Sequence, residues 1–326
     1  MLKALSTSVL VLLTLLALLI LGALTAWLLL RAPDLPAEQL ERESATPHER
    51  YVELQPGLRL HYRDEGPSDA PVLLLLHGYG DSYATWEGWA PALRERWRVI
   101  SLDLPGHGLT AAPAGYVLDF DAYTRLVQDF ATKIGVTRFA VAGNSMGGGV
   151  AWKLAVAAPR RITALVLAAA AGWPSEGAPN ASLAFRLLQY RWGRDLLASI
   201  DNRPLIKQGL SAQVHDKTLI TDALIDRWAR YQRYPGHRDI LMSASPTARR
   251  LSAEDVTAQL ATLQVPTLIL HGEVDPLIPV GHSRRFATAI AGAKLIVYPD
   301  VGHLPQREIP ERSAKDVAQF LGSLHQ

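Results

Sequence analysis

Three side chains have the types that nucleophilic catalysis requires, and each stands in a turn marked by glycine or proline: Ser145, Asp275 and His303. Ser145 is the apex of Gly143-Asn144-Ser145-Met146-Gly147, inside the stretch Phe139 to Trp152, where an apolar run breaks and resumes at helical spacing. This pattern predicts a strand, a very tight turn and a helix, the geometry of a Gly-x-Ser-x-Gly nucleophile elbow. Glycine on either side lets the chain enter a strained turn without a Cβ clash, so the hydroxyl stands clear of the backbone. Such a pattern arises by chance roughly one time in ten in a chain of this length. The flanking β-rich and helical runs therefore carry the assignment.

A serine hydroxyl at neutral pH is a poor nucleophile and needs a base, usually a histidine oriented by a carboxylate. Behind an elbow these partners follow in the order serine, acid, histidine. Two later turns fit. A strand ending at His271 runs into Gly272-Glu273-Val274-Asp275-Pro276, and one ending at Tyr298 runs into Pro299-Asp300-Val301-Gly302-His303-Leu304. Asp275 is the expected acid, with Glu273 as the alternative, and His303 the expected base. The other place for an acid, Ala168 to Gly172, contains no carboxylate. Acyl attack also requires two preorganised donors for the oxyanion. One is expected from the amide of Met146, at a helix N-terminus. The second is expected from Tyr79 in the turn His77-Gly78-Tyr79-Gly80, with Gly78 allowing close approach. His77, His107 and His271 are expected to be structural.

The elements that must position these groups alternate between short apolar strands and helices from Arg50 onward. Tyr51–Leu54 and Leu58–Arg63 read as an antiparallel hairpin. Pro71–Leu76, Arg98–Leu102, the apolar run from Phe139 up to the elbow, Ile162–Ala169, Thr267–His271 and Lys294–Tyr298 read as strands. Trp86–Arg96, Asp119–Ile134, Val280–Ala291 and Pro310–Leu324 read as helices, with Asp119 as a cap. The alternation predicts a doubly wound parallel sheet, whose ligands bind beyond the C-terminal strand ends. The histidine-glycine turn, the turn at Asp103 and the Ser145 elbow all fall at such ends.

Between residues 172 and 251 the strands give way to helical stretches, Leu183–Ile200 and Thr221–Tyr234 among them, which predicts an inserted helical cap. It is rich in arginine and aromatic residues. Two readings follow: a solvated basic face over an aromatic seam, or a lid that meets anionic headgroups or an anionic substrate. At the other end of the chain, Leu5 to Leu30 contains no charged residue; as a helix it would span roughly 39 Å, against a hydrocarbon core of about 30 Å. An uncleaved single-pass anchor over residues 1–31 is expected in preference to a signal peptide, whose apolar part is usually about 7 to 15 residues. The basic residues on either side leave its sidedness open. Residues 32–49, with three prolines and no apolar periodicity, read as a tether. The core is expected over 50–171 and 252–326, with the cap at 172–251.

Composition narrows the function classes further. With 326 residues, 48% of them hydrophobic, the chain can bury one large α/β core with an insertion. A formal net charge of +2 gives no nucleic-acid footprint. The absence of cysteine excludes disulfides, thiolate chemistry and cysteine-ligated zinc. No cofactor or metal is expected, and the oligomeric state is left open.

Taken together, the GNSMGG elbow, HGYG after an early strand, DLPGHG, GEVDPLIP and VGHLPQRE resemble the α/β-hydrolase superfamily from about residue 50 to the end. The chain is most similar to capped bacterial lipase and esterase-type serine hydrolases, some of which carry an N-terminal membrane anchor. The resemblance implies a mostly parallel eight-stranded sheet with helices on both faces. It implies Ser145 as nucleophile, Asp275 as acid and His303 as base, and hydrolysis of a hydrophobic or acyl carboxylic ester, a small-molecule substrate, through an acyl-enzyme. A single-pass location in a bacterial inner membrane is the corresponding expectation. Carbon–carbon bond hydrolases of ring-cleavage products share a GNSMGG-like elbow but typically have tryptophan after the catalytic histidine, where this chain has Leu304. Cofactor-free haloperoxidases, acyltransferases and a non-catalytic binding protein on a membrane stalk are the remaining readings.

Overall fold

A strand with an apolar residue at every position must be covered on both faces, and the central strands here are of that kind. The computed structural model describes residues 7–174, 186–187, 190–243 and 251–324. Eight strands form one sheet in the order β1-β2-β4-β3-β5-β6-β7-β8: β1 Glu49–Gln55, β2 Leu58–Glu65, β3 Val72–Leu76, β4 Arg98–Leu102, β5 Phe139–Asn144, β6 Ile162–Ala168, β7 Thr267–Gly272 and β8 Lys294–Tyr298. The β1–β2 and β2–β4 pairs are antiparallel and all others parallel. Successive side chains go to opposite faces. Leu74, Leu76, Val141, Leu165 and Leu167 join one core, and Leu73, Leu75, Ala140, Ala142 and Val166 the other.

Chain order places the functional turns side by side. From β3 the chain crosses to β4 on one side, then returns past β3 to β5 on the other. The winding thus reverses between β3 and β5, the point where open α/β sheets bind their ligands. The turn after β3 carries Gly78 and Tyr79, and the turn after β5 carries Ser145.

The helices, numbered along the chain, are α1 Thr7–Leu30, α2 Ala37–Ser44, α3 Ala90–Leu93, α4 Phe120–Lys133, α5 Met146–Ala157, α6 Arg191–Ser199, α7 Arg203–Gln213, α8 Asp222–Gln232, α9 His237–Met242, α10 Ala253–Leu260, α11 Val280–Ala289, α12 Pro305–Glu308 and α13 Pro310–Gly322. Asp119 caps α4 by accepting from the Ala122 amide, as expected. The expected Trp86–Arg96 helix is instead a 3₁₀ turn, Tyr83–Trp86, followed by the single turn α3. Gly88 lies between them, where a Cβ would come within 2.5 Å of Pro310. Of the stretch Leu183–Ile200, residues 183–185 and 188–189 lie outside the described residues; the part from Arg191 is α6.

The segment expected as a tether is folded against the protein. Within it α2 buries Leu40 to 1% exposure among Tyr83, Leu109, Tyr231 and Tyr234. Glu41 accepts from Arg59 and from the Tyr234 hydroxyl, Arg230 pairs with Glu43, and Arg238 Nη2 bonds Asp34 Oδ1 at 2.5 Å. One buried leucine in an eight-residue charged helix leaves no periodicity to read, and the ion pairs add to the packing of Leu40. These bonds also account for part of the cap's basic character. Arg203 pairs with Asp201 and Asp226, and Arg227 with Glu87, so several cap arginines tie the cap to itself, to the core and to the N-terminal segment.

Candidate active site

Ser145 has φ 52° and ψ −117°, a left-handed conformation that costs an unbranched non-glycine residue about 1–3 kcal/mol. The surroundings enforce it. The Ser145 amide donates to Ala168 O at 3.0 Å, and its carbonyl accepts from Gly149 and Ala171 at 3.0 and 2.9 Å. Both elbow glycines are sterically required: a Cβ on Gly143 would lie 2.2 Å from Gly147 O, and one on Gly147 would lie 2.2 Å from Leu76 O. The turn is thus wedged between β3 and α5, with Ser145 half-buried at its tip.

Asp275 and His303 converge as their spacing predicted. His303 Nδ1 donates to Asp275 Oδ2 at 2.7 Å, and both side chains are buried. The other carboxylate oxygen accepts the amides of Leu277 and Ile278 at 2.8 and 3.0 Å. Burial works against ionisation of Asp275, yet the charge and hydrogen bond of His303 and the Ile278 amide hold its carboxyl below the usual range. With Nδ1 carrying its proton toward the aspartate, Nε2 is the nitrogen left to act as a base. Ser145 and His303 line the same cavity. Glu273, the alternative acid, is exposed.

The remaining expected residues surround the serine. A Cβ on Gly78 would lie 3.3 Å from Ser145 Cβ, so glycine permits this approach. Met146 begins α5, where the first amides have no intrahelical acceptor and the helix dipole favours negative charge. The Tyr79 hydroxyl donates to Leu241 O at 2.9 Å, linking the turn to the cap. His77 Nε2 accepts from the Leu104 amide at 3.0 Å, so its Nδ1 donates to Gly78 O at 2.8 Å and fixes the turn. His107 is buried against the His77 ring, and burial pushes its pKa well down, keeping it neutral. His271 bonds Ser283 and Ile278 O.

Several contributors were not recognised from the sequence. Asn144 Nδ2 donates to Ala168 O and His303 O at 3.1 and 3.2 Å, tying the elbow to the histidine loop. Glu308 accepts from the Gly302 amide at 2.9 Å and from the His215 amide in the cap at 2.6 Å. Both lie within the quoted motifs, Asn144 beside the serine and Glu308 five residues after the histidine, so their position was the available signal.

The cavity over Ser145 has a volume of about 200 Å³, with apolar walls from Leu197, Ile206, Leu210, Trp228 and Leu241. Among the described residues lining it there is no lysine or arginine. No group of three or more His, Asp or Glu side chains is placed to hold a metal ion among the described residues.

Residues 71–308 match the family model of the alpha/beta hydrolase fold. The chain belongs to this family. A 2-hydroxy-6-oxo-6-phenylhexa-2,4-dienoate hydrolase from Burkholderia cepacia is 30% identical over 277 residues, covering 81% of this chain and 92% of the relative. Among solved structures, a membrane phospholipase A described as a bacterial virulence factor matches with a TM-score of 0.72 and 26% identity, over 96% of this α/β hydrolase and 98% of that chain. A meta-cleavage product hydrolase from Pseudomonas fluorescens IP01 gives a TM-score of 0.72 at 26% identity, over 84% and 97% of the two chains. Hydrolases of esters and of carbon–carbon bonds thus both stand among its relatives.

Proposed function

We propose that this α/β hydrolase cleaves an uncharged, hydrophobic carboxylic ester through an acyl-enzyme on Ser145. His303 Nε2 takes the hydroxyl proton as Oγ attacks the carbonyl carbon. The amides of Met146 and Tyr79 hold the oxyanion. The carbon–alkoxy bond then breaks, His303 returns the proton to the leaving alcohol, and the acyl group remains on Ser145. A water molecule repeats the attack, its proton passing to His303, and the carboxylic acid leaves as Ser145 regains its proton. Asp275 keeps His303 in the required tautomer and stabilises the imidazolium.

The observation that carries this reading is the cavity itself: Ser145 and His303 lie under apolar walls without a lysine or arginine among the described lining residues, while Asp81 also lines the space. Such a chamber suits an acyl chain and offers a dienoate carboxylate no cationic partner. The domain division follows from the same reading, with a core at 50–171 and 252–326 and a cap at 172–251. We assign α1 as a single-pass anchor, since it is long and apolar enough to cross a bilayer. The likeness to a membrane phospholipase A, which covers 96% of the chain, supports an ester drawn from lipid.

The second reading, hydrolysis of a carbon–carbon bond, is favoured by the dienoate hydrolase relative. Purified full-length protein should cleave p-nitrophenyl esters, with a preference for longer acyl chains, faster than 2-hydroxy-6-oxo-6-phenylhexa-2,4-dienoate. A preference for the dienoate would overturn the ester assignment. Absence of Ser145-dependent labelling by a fluorophosphonate in folded protein would leave a non-catalytic binding protein.

A further inference from the structure

The end of α1 is joined to the cap rather than to the sheet. The Asp201 amide donates to Leu30 O at 2.8 Å and the Ala32 amide to Ser199 O at 3.0 Å, so Arg31 and Ile200 form an antiparallel bridge. The Trp27 indole donates to Ser199 Oγ at 3.2 Å, and the Arg31 guanidinium lies 5.5 Å from the Trp27 ring centre. Just beyond, Arg233 donates to Pro33 O at 2.8 Å and Arg238 to Ala32 O at 2.7 Å. A helix held this way fixes the orientation of the cap relative to whatever surrounds the helix.

Ser199 closes α6, and helical spacing decides what lies beside it. Trp192, Leu196 and Ser199 stand at i, i+4 and i+7, a single face of the helix. Trp192 is 60% and Leu196 37% exposed, and Tyr190, 56% exposed, stacks on Trp192 with ring centres 5.9 Å apart. The adjoining face, roughly 110° round the helix, carries Gly193 and Leu197, both buried, and Leu197 lines the cavity over Ser145. One short helix therefore shows an aromatic and aliphatic face on the side of α1 and lines the cavity with the adjoining flank. Along the helix axis Trp192 lies about 10 Å from Ser199.

We propose that the outer face of α6, formed by Trp192 and Leu196 with Tyr190 beside them, is a membrane-docking surface that sits in the headgroup region of the bilayer spanned by α1. The side chains have the chemistry of that layer, where tryptophan and tyrosine place an apolar body in lipid and a polar edge in water. Arg191 and Arg31 flank the patch and suit anionic headgroups. The surface continues from the end of α1, which identifies the bilayer as its occupant. Resting on the ester reading above, the same placement makes the lipid phase the source of substrate: less than one helix diameter, about 10 Å, separates the docking face from the cavity-lining flank.

The chain contains no cysteine, so one introduced thiol can be labelled cleanly. Full-length Trp192→Cys carries an environment-sensitive fluorophore in vesicles of phosphatidylethanolamine and phosphatidylglycerol. Asp69→Cys, exposed just before β3 at the edge of the sheet away from the cavity, serves as reference. The label at position 192 should be quenched at least about threefold more by a bilayer-embedded nitroxide lipid than the label at 69, and protected from aqueous iodide. Equal quenching at the two sites overturns the surface, whatever the protein hydrolyses. The double variant Trp192→Glu/Leu196→Glu should lose about tenfold in activity on a long-chain ester embedded in vesicles and retain its activity on a water-soluble short ester. Unchanged activity on both overturns the lipid route. If the parent protein cleaves neither ester, the ester reading fails, and the quenching result still decides the surface.

Discussion

Replacing His61 should remove a stabilising contribution whose size depends on pH in a defined window. His61 lies on β2 between two carboxylates, its Nδ1 2.7 Å from Asp103 Oδ2 and its Nε2 2.6 Å from Glu49 Oε2, with no exposed surface. A neutral imidazole has one N–H and serves only one of them; the cation donates to both. Burial opposes the charge, but the hydrogen bonds and charges of Asp103 and Glu49 overcome it and raise the pKa from 6.5 to about 9. By linkage, a rise of that size corresponds to about 3 kcal/mol of folding stability. Because the folded pKa is the higher one, the contribution is complete below the unfolded value of 6.5 and is lost as pH rises through about 9. His61→Gln has no such titration, and comparing it with the parent cancels the other groups. Denaturant unfolding of both full-length proteins in detergent, from about pH 6 to about pH 10, should show their stability difference shrinking by about 3 kcal/mol. A difference constant within about 0.5 kcal/mol would show that His61 is not charged in the fold. The result reaches the candidate site as well, since Asp103 also accepts the amides of Tyr83 and Leu109 at 2.7 and 3.0 Å, a few residues from the Gly78–Tyr79 turn.

Asp275→Asn should lower kcat on an ester by about 10³–10⁴-fold with the fold intact, because the amide no longer fixes the His303 tautomer; steady-state kinetics and near-UV circular dichroism check this. Gly147→Ala places a Cβ 2.2 Å from Leu76 O and 2.5 Å from His77 O, and should cost about 2 kcal/mol or more in stability together with most activity. Unfolding titrations that match the parent would refute that steric argument. Leu40→Ala removes the one buried side chain of α2 and should destabilise by about 2–3 kcal/mol, with limited proteolysis cutting first between α1 and β1.

What could be read from the sequence was whatever depends on local period and turn chemistry. β3 and β5 are continuous apolar runs ending in glycine turns, so their burial and the positions of Gly78 and Ser145 followed directly. Asp275 and His303 were found by the same rule, at the ends of β7 and β8. Contacts between distant charged residues were not legible. Nothing local pairs Glu41 with Arg59 or Arg238 with Asp34, so a docked helix read as a tether. Nor does an exposed tryptophan in an arginine-rich stretch announce its neighbour: the relation between Trp192 and α1 appears only when Ser199 meets Trp27. Asn144 and Glu308 act through the backbone of His303 and its neighbours, a role that residue type alone does not specify.

The bonds around His303 bear on how specificity and catalysis are connected in this α/β hydrolase. The His303 amide donates to Gln213 O at 2.7 Å, and a Cβ on Gly302 would lie 2.4 Å from that same oxygen. Glu308 joins the His215 amide to the Gly302 amide, and Asn144 holds His303 O from the elbow. The last turn of α7 and the loop after it are therefore part of the mounting of His303, while Ile206 and Leu210 on the same helix form the cavity wall. An acyl chain that displaced α7 would also displace His303 relative to Ser145, and misplacement of about 1 Å can cost two orders of magnitude in rate. On the ester reading proposed above, selectivity built this way falls on kcat as well as on KM, since a poorly fitting ester would disturb the histidine proposed to deprotonate Ser145. The other end of α7 begins three residues after Ile200, which bridges to Arg31 at the end of α1. The end of α1, the cavity wall and the mounting of His303 thus share one continuous run of structure from Ser199 to His215.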